Sequence, residues 1–409
     1  MAKAGIALLM LISVAVLCPA AAQDEESINK LRKLSKEIEN FSITILFRSF
    51  LDFGSTNLLI SPFSVWTVLA MLSQGAGDSI TRDEMLNVLG YNPTSKNIDP
   101  AEAYSQLSPY FLFNRSTVAL ETTNSLFYSK DFMVKPNFRR VQSTFRIRMT
   151  PLDFSAPSAA ATVNDEIVRE TRGKFAEFVN SDDMKESVMI ITNAMFFKGQ
   201  WTRPFNASET TIAPFFDEQN REVGKVRMMF QRTPLTYVNV QNLKSRVIEL
   251  PYGQGNRLSM VIILPHQGVT LAEVMRLAPD IPVATIFAAL EQAYEEYDDE
   301  VDIYLPRFKV TSDLILNKVL TEMGMHEVFD STYADLTNMS NTPNLHLSRV
   351  IHKTTIEVTE EGTAAAVEEL GFKNTPPKFI ANRPFIYLLI EKTTNVILCG
   401  GTYVTPSLF

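Results

Sequence analysis

The middle of the chain alternates between two kinds of apolar pattern, and this alternation restricts the fold more than any other feature of the sequence. Short runs rich in β-branched and aromatic residues, ended by Pro, Gly or Asn, predict strands; they are ALETTNSLFYS, VMIITNAMFFKGQW, RVIELPY, LSMVIILP and DIYLPRFKV. Between them, AATVNDEIVRETRGKF and SDLILNKVLTEMGM carry apolar residues at helical spacing. Strands interleaved with helices predict a mixed α+β fold.

The first part of the chain is predicted to be mainly helical. From Glu25 to Phe50 the apolar residues recur at spacings of three and four, which indicates an amphipathic helix. After LISP, Ser61 is expected to cap a helix whose next residues, FSVWTVLAML, are apolar on nearly every side and should be buried. A third helix, ITRDEMLNVLG, should stop at Gly90. Because no internal repeat, long linker or low-complexity segment interrupts the pattern, we expect one domain.

Residues 1–22 have the pattern of a secretory signal peptide. Lys3 precedes an apolar run from Ile6 to Cys18, and the small residues Ala20 and Ala22 follow it. The alternative is a membrane anchor, but the run is shorter than the ~20 residues of a span, and no later stretch is long enough. We therefore expect cleavage after Ala22, a mature domain of residues 23–409, and a secreted, extracellular protein that does not enter the membrane.

Cysteine usage and glycosylation motifs agree with a secreted chain. Loss of Cys18 would leave Cys399 alone, so no internal disulfide could form and stability would rest on the core, which a chain of 409 residues that is 45% hydrophobic can build. Cys399 lies in apolar NVILCGG and should be buried and unreactive. Four sequons predict a glycoprotein; they are Asn114 and Asn206 in polar surroundings, Asn338, and Asn40 inside the first helical pattern.

Charge and motif content exclude several classes of function. A net charge of -8 and a pI near 5.3 argue against a nucleic-acid surface. The basic run FRRVQSTFRIR, with Arg139, Arg140, Arg146 and Arg148, is interpreted as a solvated helix face. The four histidines lack metal-ligand spacing, so no metal is expected. There is no G-x-S-x-G elbow, P-loop or G-x-G-x-x-G, which disfavours a hydrolase or a nucleotide-binding enzyme, although a catalytic triad need not be adjacent in sequence. We expect neither a cofactor nor enzymatic turnover.

Six segments resemble the serpin family in the order that the family has them, and together they cover essentially the whole mature chain. They are NLLISPFSVWTVLAMLSQGA, ITNAMFFKGQWTRPF, VIELPY with LSMVIILP, DIYLPRFKV, LHLSRVIHKTTIEVTEEGT and RPFIYLLIEKTTNVILCGG. The segment VNDEIVRETRGKF resembles the family's helix before the central sheet, with Glu166 and Ile167 where a tryptophan is usual.

The resemblance implies a serpin fold with three β-sheets, eight or nine helices and an exposed reactive-centre loop, here about residues 359–379. It also implies a metastable native state. A target serine protease cleaves the loop and forms an acyl-enzyme, and the cut loop then inserts as a new central strand of the main sheet. The protease is carried to the far pole with a distorted site, so that the acyl bond persists.

The resemblance assigns roles to individual residues. The loop hinge is Glu361, Gly362, Thr363, Ala364, Ala365 and Ala366, whose small side chains suit insertion between strands. A hydrogen-bonded cluster at the place where the sheet opens, the shutter, is made by Ser61, Ser64, Asn193 and His352. Trp201 belongs at the top of the sheet, the breach. The alternatives are a satisfied core histidine at His352 and an ordinary core aromatic at Trp201.

The loop departs from the family pattern in two respects. Alternation from Thr363 points Glu369 into the core, where an unpaired carboxylate costs several kcal/mol. Counting back from TPPKFIANRPF gives Lys373-Asn374 as the reactive bond, whereas counting forward from Gly362 gives a position about three residues later. The loop is therefore about 10 Å short. The alternative bond, Phe372-Lys373, would imply a chymotrypsin-like target.

We interpret the chain as a secreted, monomeric inhibitor of a trypsin-like serine protease, since Lys373 suits an acidic specificity pocket. The alternatives are a non-inhibitory binder or carrier, and a protease substrate that is cleaved without trapping. A sulfated polysaccharide at the basic run is a further possibility, but DPAEAYSQLSPYFLF, in the position of the neighbouring helix, has no Lys or Arg.

Overall fold

A computed structural model describes residues 18–93, 99–113, 116–235, 237–253, 255–296, 300–362 and 376–409. Within these ranges the chain is a mixed α+β fold, as expected, with fifteen strands in three sheets and ten α-helical segments. The count exceeds the expected eight or nine helices, and one segment is a single turn of four residues. The helices are α1 Cys18–Phe53, α2 Pro62–Ser73, α3 Ile80–Val88, α4 Pro100–Leu107, α5 Pro136–Phe145, α6 Ala159–Glu170, α7 Ser181–Met184, α8 Leu271–Leu277, α9 Val283–Glu296 and α10 Asn317–Glu322.

Most strands lie in the second half of the chain, where the sequence predicts them. They are β1 Leu58–Ile60, β2 Val118–Ser129, β3 Arg148–Leu152, β4 Met189–Gly199, β5 Thr211–Phe216, β6 Glu222–Thr233, β7 Tyr237–Val240, β8 Ser245–Tyr252, β9 Leu258–Pro265, β10 Val301–Pro306, β11 Phe308–Ile315, β12 Arg349–Val358, β13 Lys378–Ile380, β14 Phe385–Glu391 and β15 Val396–Tyr403.

The five-stranded sheet has the order β11-β12-β4-β2-β3. Its central strands β4 and β12 run parallel, paired from Arg349 with Ile190 to Glu357 with Lys198. We call the line between these two strands the seam, and the end at which both strands stop, at Gly199 and Val358, its upper end. Apolar residues of α6, among them Val163 and Ile167, share a buried cluster with this sheet and so cover part of it.

The other two sheets complete the core. The six-stranded sheet has the order β1-β15-β14-β9-β8-β7, and β9, β14 and β15 are buried along their whole length. Cys399 lies in β15 as a buried free thiol, and burial raises its pKa above the ordinary range, in agreement with an unreactive thiol. The four-stranded sheet has the order β13-β10-β6-β5, with the short β13 parallel to β10 at one edge.

Two of the predicted helices have different bounds in the structure. The helical prediction for SDLILNKVLTEMGM is wrong at its start, since Ser312 to Ile315 belong to β11, which alternates between buried and exposed residues and pairs with β12 throughout. Pairing along the full strand overrides the local helical spacing. Helix α1 extends beyond Glu25–Phe50 in both directions. The arginines Arg139 and Arg140 are exposed on α5, as expected for a solvated face.

Among the described residues, none of the helices combines the length and the apolar character that a bilayer-crossing helix requires. The same part of the chain contains no group of three His, Cys, Asp or Glu side chains placed to hold a metal ion.

Candidate functional site

The upper end of the seam is fastened by Trp201. Its indole Nε1 donates to the carbonyl of Thr359 at 2.7 Å, and its backbone N–H donates to the carbonyl of Glu361 at 3.0 Å. A parallel bridge joins Trp201 to Gly362. The tryptophan thus binds the chain directly after β12, at the top of the sheet where the resemblance locates it.

The Trp201 ring is only 2% exposed, because aromatic residues enclose it. It stacks on Tyr252 with centroids 4.0 Å apart and planes at 15°, and it meets Phe205 edge-on at 5.9 Å. Such ring pairs stabilise a fold beyond their buried area. A large, fully packed side chain therefore closes the top of the seam.

The first residues of the predicted loop are part of the folded body. The expectation that the exposed segment begins at residue 359 is wrong for Thr359 and Glu360, which are 7% and 9% exposed. The Glu360 carboxylate pairs with Arg307 at 3.4 Å and accepts a hydrogen bond from Thr210 at 2.8 Å. Paired in this way, a carboxylate tolerates burial.

Arg307 is held in turn by the C-terminal residue. Its guanidinium lies 5.2 Å from the centroid of the Phe409 ring. Our reading of the sequence missed Arg307, Thr210 and Phe409. No local signal marks these residues, since each is remote from Glu360 in sequence.

Gly362 is required by close approach of the backbone. A Cβ at this position would lie 2.6 Å from the carbonyl oxygen of Trp201 and 2.7 Å from the Cβ of Pro204. Beside it, Glu361 pairs with Lys198 at 2.9 Å on a more exposed surface. The other predicted hinge residues, Thr363, Ala364, Ala365 and Ala366, lie outside the described residues. So do the predicted reactive bond Lys373-Asn374, its alternative at Phe372, and Glu369.

In the middle of the seam, His352 receives a hydrogen bond from Ser61, the residue before α2. The backbone N–H of Ser61 donates to Nε2 of His352 at 3.0 Å. The Ser61 hydroxyl donates to the carbonyl of Leu398 at 2.7 Å and lies 2.9 Å from the Ser64 hydroxyl. The prediction that the Ser61 side chain caps α2 is wrong, because that hydroxyl bonds to β15 instead.

His352 is fully buried and neutral. Burial lowers its pKa to about 3, so the imidazole is uncharged at physiological pH. Since Nε2 accepts the Ser61 N–H, Nδ1 carries the proton, and that donor has no partner among the described residues.

Asn193 is in register with His352 but is bonded elsewhere. Its Nδ2 donates to Oδ1 of Asn124 on β2, while its own Oδ1 lacks a partner within the described ranges. Of the four predicted shutter residues, the structure thus joins Ser61, Ser64 and His352, and it links Asn193 to a different strand. Ser125 and Thr192 add further buried hydroxyls without partners in the described part of the chain. An unpartnered buried polar group costs about 1–3 kcal/mol.

The asparagine side chains of the four sequons differ in the hydrogen bonds that they form. Asn206 is exposed, and its Oδ1 accepts hydrogen bonds from the backbone and hydroxyl of Ser208. Asn338 is exposed, but its Nδ2 donates to the carbonyl of Ala76 at 2.6 Å. Asn40 is exposed on α1, with its Nδ2 3.4 Å from Glu37. Asn114 lies outside the described residues.

Comparison with known proteins identifies the family. The family model described as Serpin (serine protease inhibitor) matches residues 36–406. The chain is similar to a leukocyte elastase inhibitor of Xenopus laevis, with 32% identity covering 88% of this chain and 96% of the relative. It is also similar to the human leukocyte elastase inhibitor, with 29% identity over 92% of this chain and 100% of the relative.

Solved structures give the same result. A thermophilic serpin, tengpin, in its native state is 25% identical, with a TM-score of 0.80, and the alignment covers 91% of this chain and 94% of that one. Human thyroxine-binding globulin is 25% identical, with a TM-score of 0.78, and the alignment covers 92% of this chain and 99% of that one. With the fold, the family model and these relatives in agreement, the chain belongs to the serpin family.

Proposed function

We propose that this serpin is a secreted, single-use inhibitor of a trypsin-like serine protease, which it traps by inserting its cleaved loop into the seam between β4 and β12. In this proposal the chain is a suicide substrate and not a catalyst. Its partner is an extracellular protease, and it acts as a monomer.

The observation that carries the proposal is the exit of the chain from β12. Gly362 lies against Trp201 at the upper end of the seam, so the following residues start where an inserted strand would have to enter. Residues 363–373 are eleven in number, and β4 also has eleven residues. Fully extended, a segment cut after Lys373 spans roughly 36 Å, the length of β4, so the residues that reverse the chain after Gly362 leave the lower part of β4 unpaired, in line with a loop about 10 Å short.

The middle of the seam supports the same mechanism. Insertion must separate β4 from β12, and the side chains there already have unused hydrogen-bonding capacity at Nδ1 of His352 and Oδ1 of Asn193. Their separation breaks no side-chain hydrogen bond between the two residues, and it leaves both atoms able to take new partners.

The test is covalent trapping. The protein is incubated with trypsin, chymotrypsin or elastase and run on denaturing gels. The elastase arm is included because relatives are named leukocyte elastase inhibitor. We expect a stable covalent band with trypsin, abolished by Lys373→Gln and retained by the matched control Lys378→Gln. A band with chymotrypsin would move the reactive bond to Phe372-Lys373.

The second candidate is a non-inhibitory serpin, because Glu369 would face the core after insertion and the loop leaves no residue to spare beyond the length of β4. Clean cleavage by trypsin without a covalent band would favour a substrate, and resistance to cleavage would favour a binder or carrier. Heating separates the cases further, since cleaved material that has inserted its loop should unfold at a markedly higher temperature than intact material.

Secretion and glycosylation have a separate test. Expression in a secreting cell should give protein in the medium that begins at Gln23, with glycan at Asn206 in preference to Asn338, whose amide nitrogen is already hydrogen-bonded. Retention inside the cell with an intact N-terminus would contradict this part of the proposal alone.

A further inference from the structure

Three basic side chains from separate parts of the chain meet at one end of the six-stranded sheet. Arg246 lies on β8 opposite Asn239 of β7. His266 follows β9, and its Nε2 is 3.3 Å from Oδ1 of Asn239. Arg383 precedes β14 and donates through Nη2 to the carbonyl of Pro265 at 2.7 Å. These contacts gather Arg246, His266 and Arg383 into what we call the basic cluster.

The basic cluster has no acidic counterpart. Within the described residues, none of its three members forms an ion pair with an Asp or Glu side chain. The carboxylates on the neighbouring elements are engaged elsewhere: Asp217 with Arg221 at 2.7 Å, Glu218 with the backbone N–H of Leu271 at 2.7 Å, and Glu273 with Lys244 at 2.6 Å.

The positive side chains of the basic cluster repel one another, and this repulsion contributes to the lowered pKa values of Arg383 and His266. The pKa of Arg383 is lowered by burial and then by the charge of Arg246. The pKa of His266 is lowered by burial and then by both arginines. A bound anion would raise the pKa values of Arg383 and His266 again, because it would supply the negative charge that no neighbouring carboxylate provides.

Hydrogen-bonding capacity is also unused at this place. Nε of Arg383 is buried and has no partner among the described residues. The guanidinium of Arg246 lies 5.5 Å from the centroid of the Tyr237 ring, and it donates no hydrogen bond to another described residue. Charged donors of this kind, with the planar fork of arginine, suit the oxygens of a phosphate or sulfate group.

We propose that Arg246, His266 and Arg383 form a binding site for a tetrahedral oxyanion, phosphate or sulfate, either free or as a monoester. Two fixed positive charges match the double charge of free sulfate, hydrogen phosphate or a phosphate monoester and exceed the single charge of a sulfate monoester, and a protonated His266 would add a third. The exposed run at Arg139 and Arg140 is a poorer candidate, since it lies on one helix face without a buried donor, and Arg148 is paired with Glu170.

The position of the site connects it to the loop. The Arg246 guanidinium lies over the ring of Tyr237, and this ring lies 5.9 Å from the ring of Phe379 in β13. The backbone just before β13 is tied to β10, since the N–H of Asp302 donates to the carbonyl of Pro377 at 3.0 Å. An anion bound to the basic cluster would therefore stabilise the anchor at the C-terminal end of the reactive loop.

The test is calorimetric titration of the full chain with inorganic phosphate and with sulfate, at constant ionic strength in chloride. We expect saturable binding of one ion by the natural chain, a loss of affinity of about tenfold or more in Arg246→Gln, and a change within about twofold in the matched control Arg139→Gln. Equal affinity in the natural chain and Arg246→Gln, or no saturable binding, would overturn the proposal. His266→Gln, which removes no fixed charge, is the second variant should Arg246→Gln fold poorly, and it should weaken binding more at acidic pH, where the ring is protonated, than at neutral pH.

A second readout follows the histidine itself. Nuclear magnetic resonance titration of the His266 ring should give a higher pKa in phosphate or sulfate than in chloride, with the exposed His326 as the internal control. Around the same end of the sheet, Lys244 pairs with Glu273, and Glu218 accepts a hydrogen bond from the backbone N–H of Leu271. Titration with phosphoserine and with a sulfated monosaccharide then distinguishes the source of the anion. If one of these esters binds more tightly than the inorganic ions, the site takes that class of ester. If the inorganic ion binds more tightly, the site takes the free anion.

Discussion

The upper end and the middle of the seam between β4 and β12 are built from opposite kinds of contact. At the upper end, Trp201 is stacked and hydrogen-bonded, and Glu360 is paired with Arg307. In the middle, His352 and Asn193 face each other in register, yet each keeps a buried polar atom without a partner among the described residues. Opening the top must break side-chain contacts that are already complete, whereas opening the middle breaks the backbone ladder but no hydrogen bond between these two side chains. The contrast indicates that the side-chain contacts that fasten the seam are concentrated at its upper end.

The largest expected effect comes from removing the ring that closes the top. Trp201→Ala should lower the free energy of unfolding by about 3–5 kcal/mol, because it empties a fully packed site. Trp201→Phe keeps a ring but loses the hydrogen bond from Nε1 to Thr359 and part of the packed volume, so it should cost less than Trp201→Ala, about 1–3 kcal/mol. Urea unfolding of both variants measures this. Equal losses in the two would mean that ring packing is not what fastens the upper end.

The next effect is a pH dependence from the middle of the seam. Burial lowers the pKa of His352 to about 3 in the folded chain, whereas its ordinary value is 6.5. Between these two pH values the unfolded chain therefore binds a proton at His352 that the folded chain does not bind. His352 therefore contributes no penalty above pH 6.5, and it costs stability as the pH falls from 6.5 towards 3, by up to about 1.4 kcal/mol per pH unit.

The comparison that isolates this effect is His352→Gln against the natural chain. The variant should lose less stability than the natural chain between about pH 6 and about pH 5, by about 1 kcal/mol, in urea unfolding at each pH. His326→Gln, at an exposed histidine, should follow the natural chain. Parallel curves for all three proteins would show that His352 is not held neutral by burial.

A smaller effect is expected for the ion pair at the top. In a double-mutant cycle of Arg307→Gln and Glu360→Gln, the coupling free energy should be about 1 kcal/mol, since Glu360 is largely buried and Arg307 is about one-third exposed. The exposed pair Lys185–Asp182 serves as the control and should give a coupling near zero. A coupling free energy for Arg307–Glu360 no larger than that of the control would show that this ion pair does not stabilise the upper end of the seam.

The smallest effect belongs to the outermost contact of the hinge. Glu361→Gln breaks the pair with Lys198, in which both side chains are substantially exposed, and should change the free energy of unfolding by less than about 0.5 kcal/mol. Thermal unfolding at low and high salt is the measurement, with Lys198→Gln as the matched variant. If Glu361→Gln lowered the free energy of unfolding as much as Trp201→Phe does, exposed contacts would stabilise the upper end of the seam as much as the buried ones.

Much of the architecture could be predicted from local patterns. The buried helix after Ser61, the strands β8, β9 and β12, and the stop of α3 before Gly90, which has a positive φ of 93°, all follow from the spacing and type of neighbouring residues. Such features depend on a few adjacent residues, so the sequence carries them directly. The close approach of Gly362 to Trp201 was not predicted, since the sequence indicated only a hinge residue there.

The contacts of the seam were decided by tertiary structure. Ser312 lies in a strand because β12 offers it a partner, the Ser61 hydroxyl bonds to Leu398 far along the chain, and Glu360 is buried because Arg307 meets it there. The sequence by itself determined most of the segments that form helices and strands, and that small residues follow β12. Only the folded chain decided which polar groups are satisfied, because their partners lie tens to hundreds of residues away, and a local pattern contains no information about them.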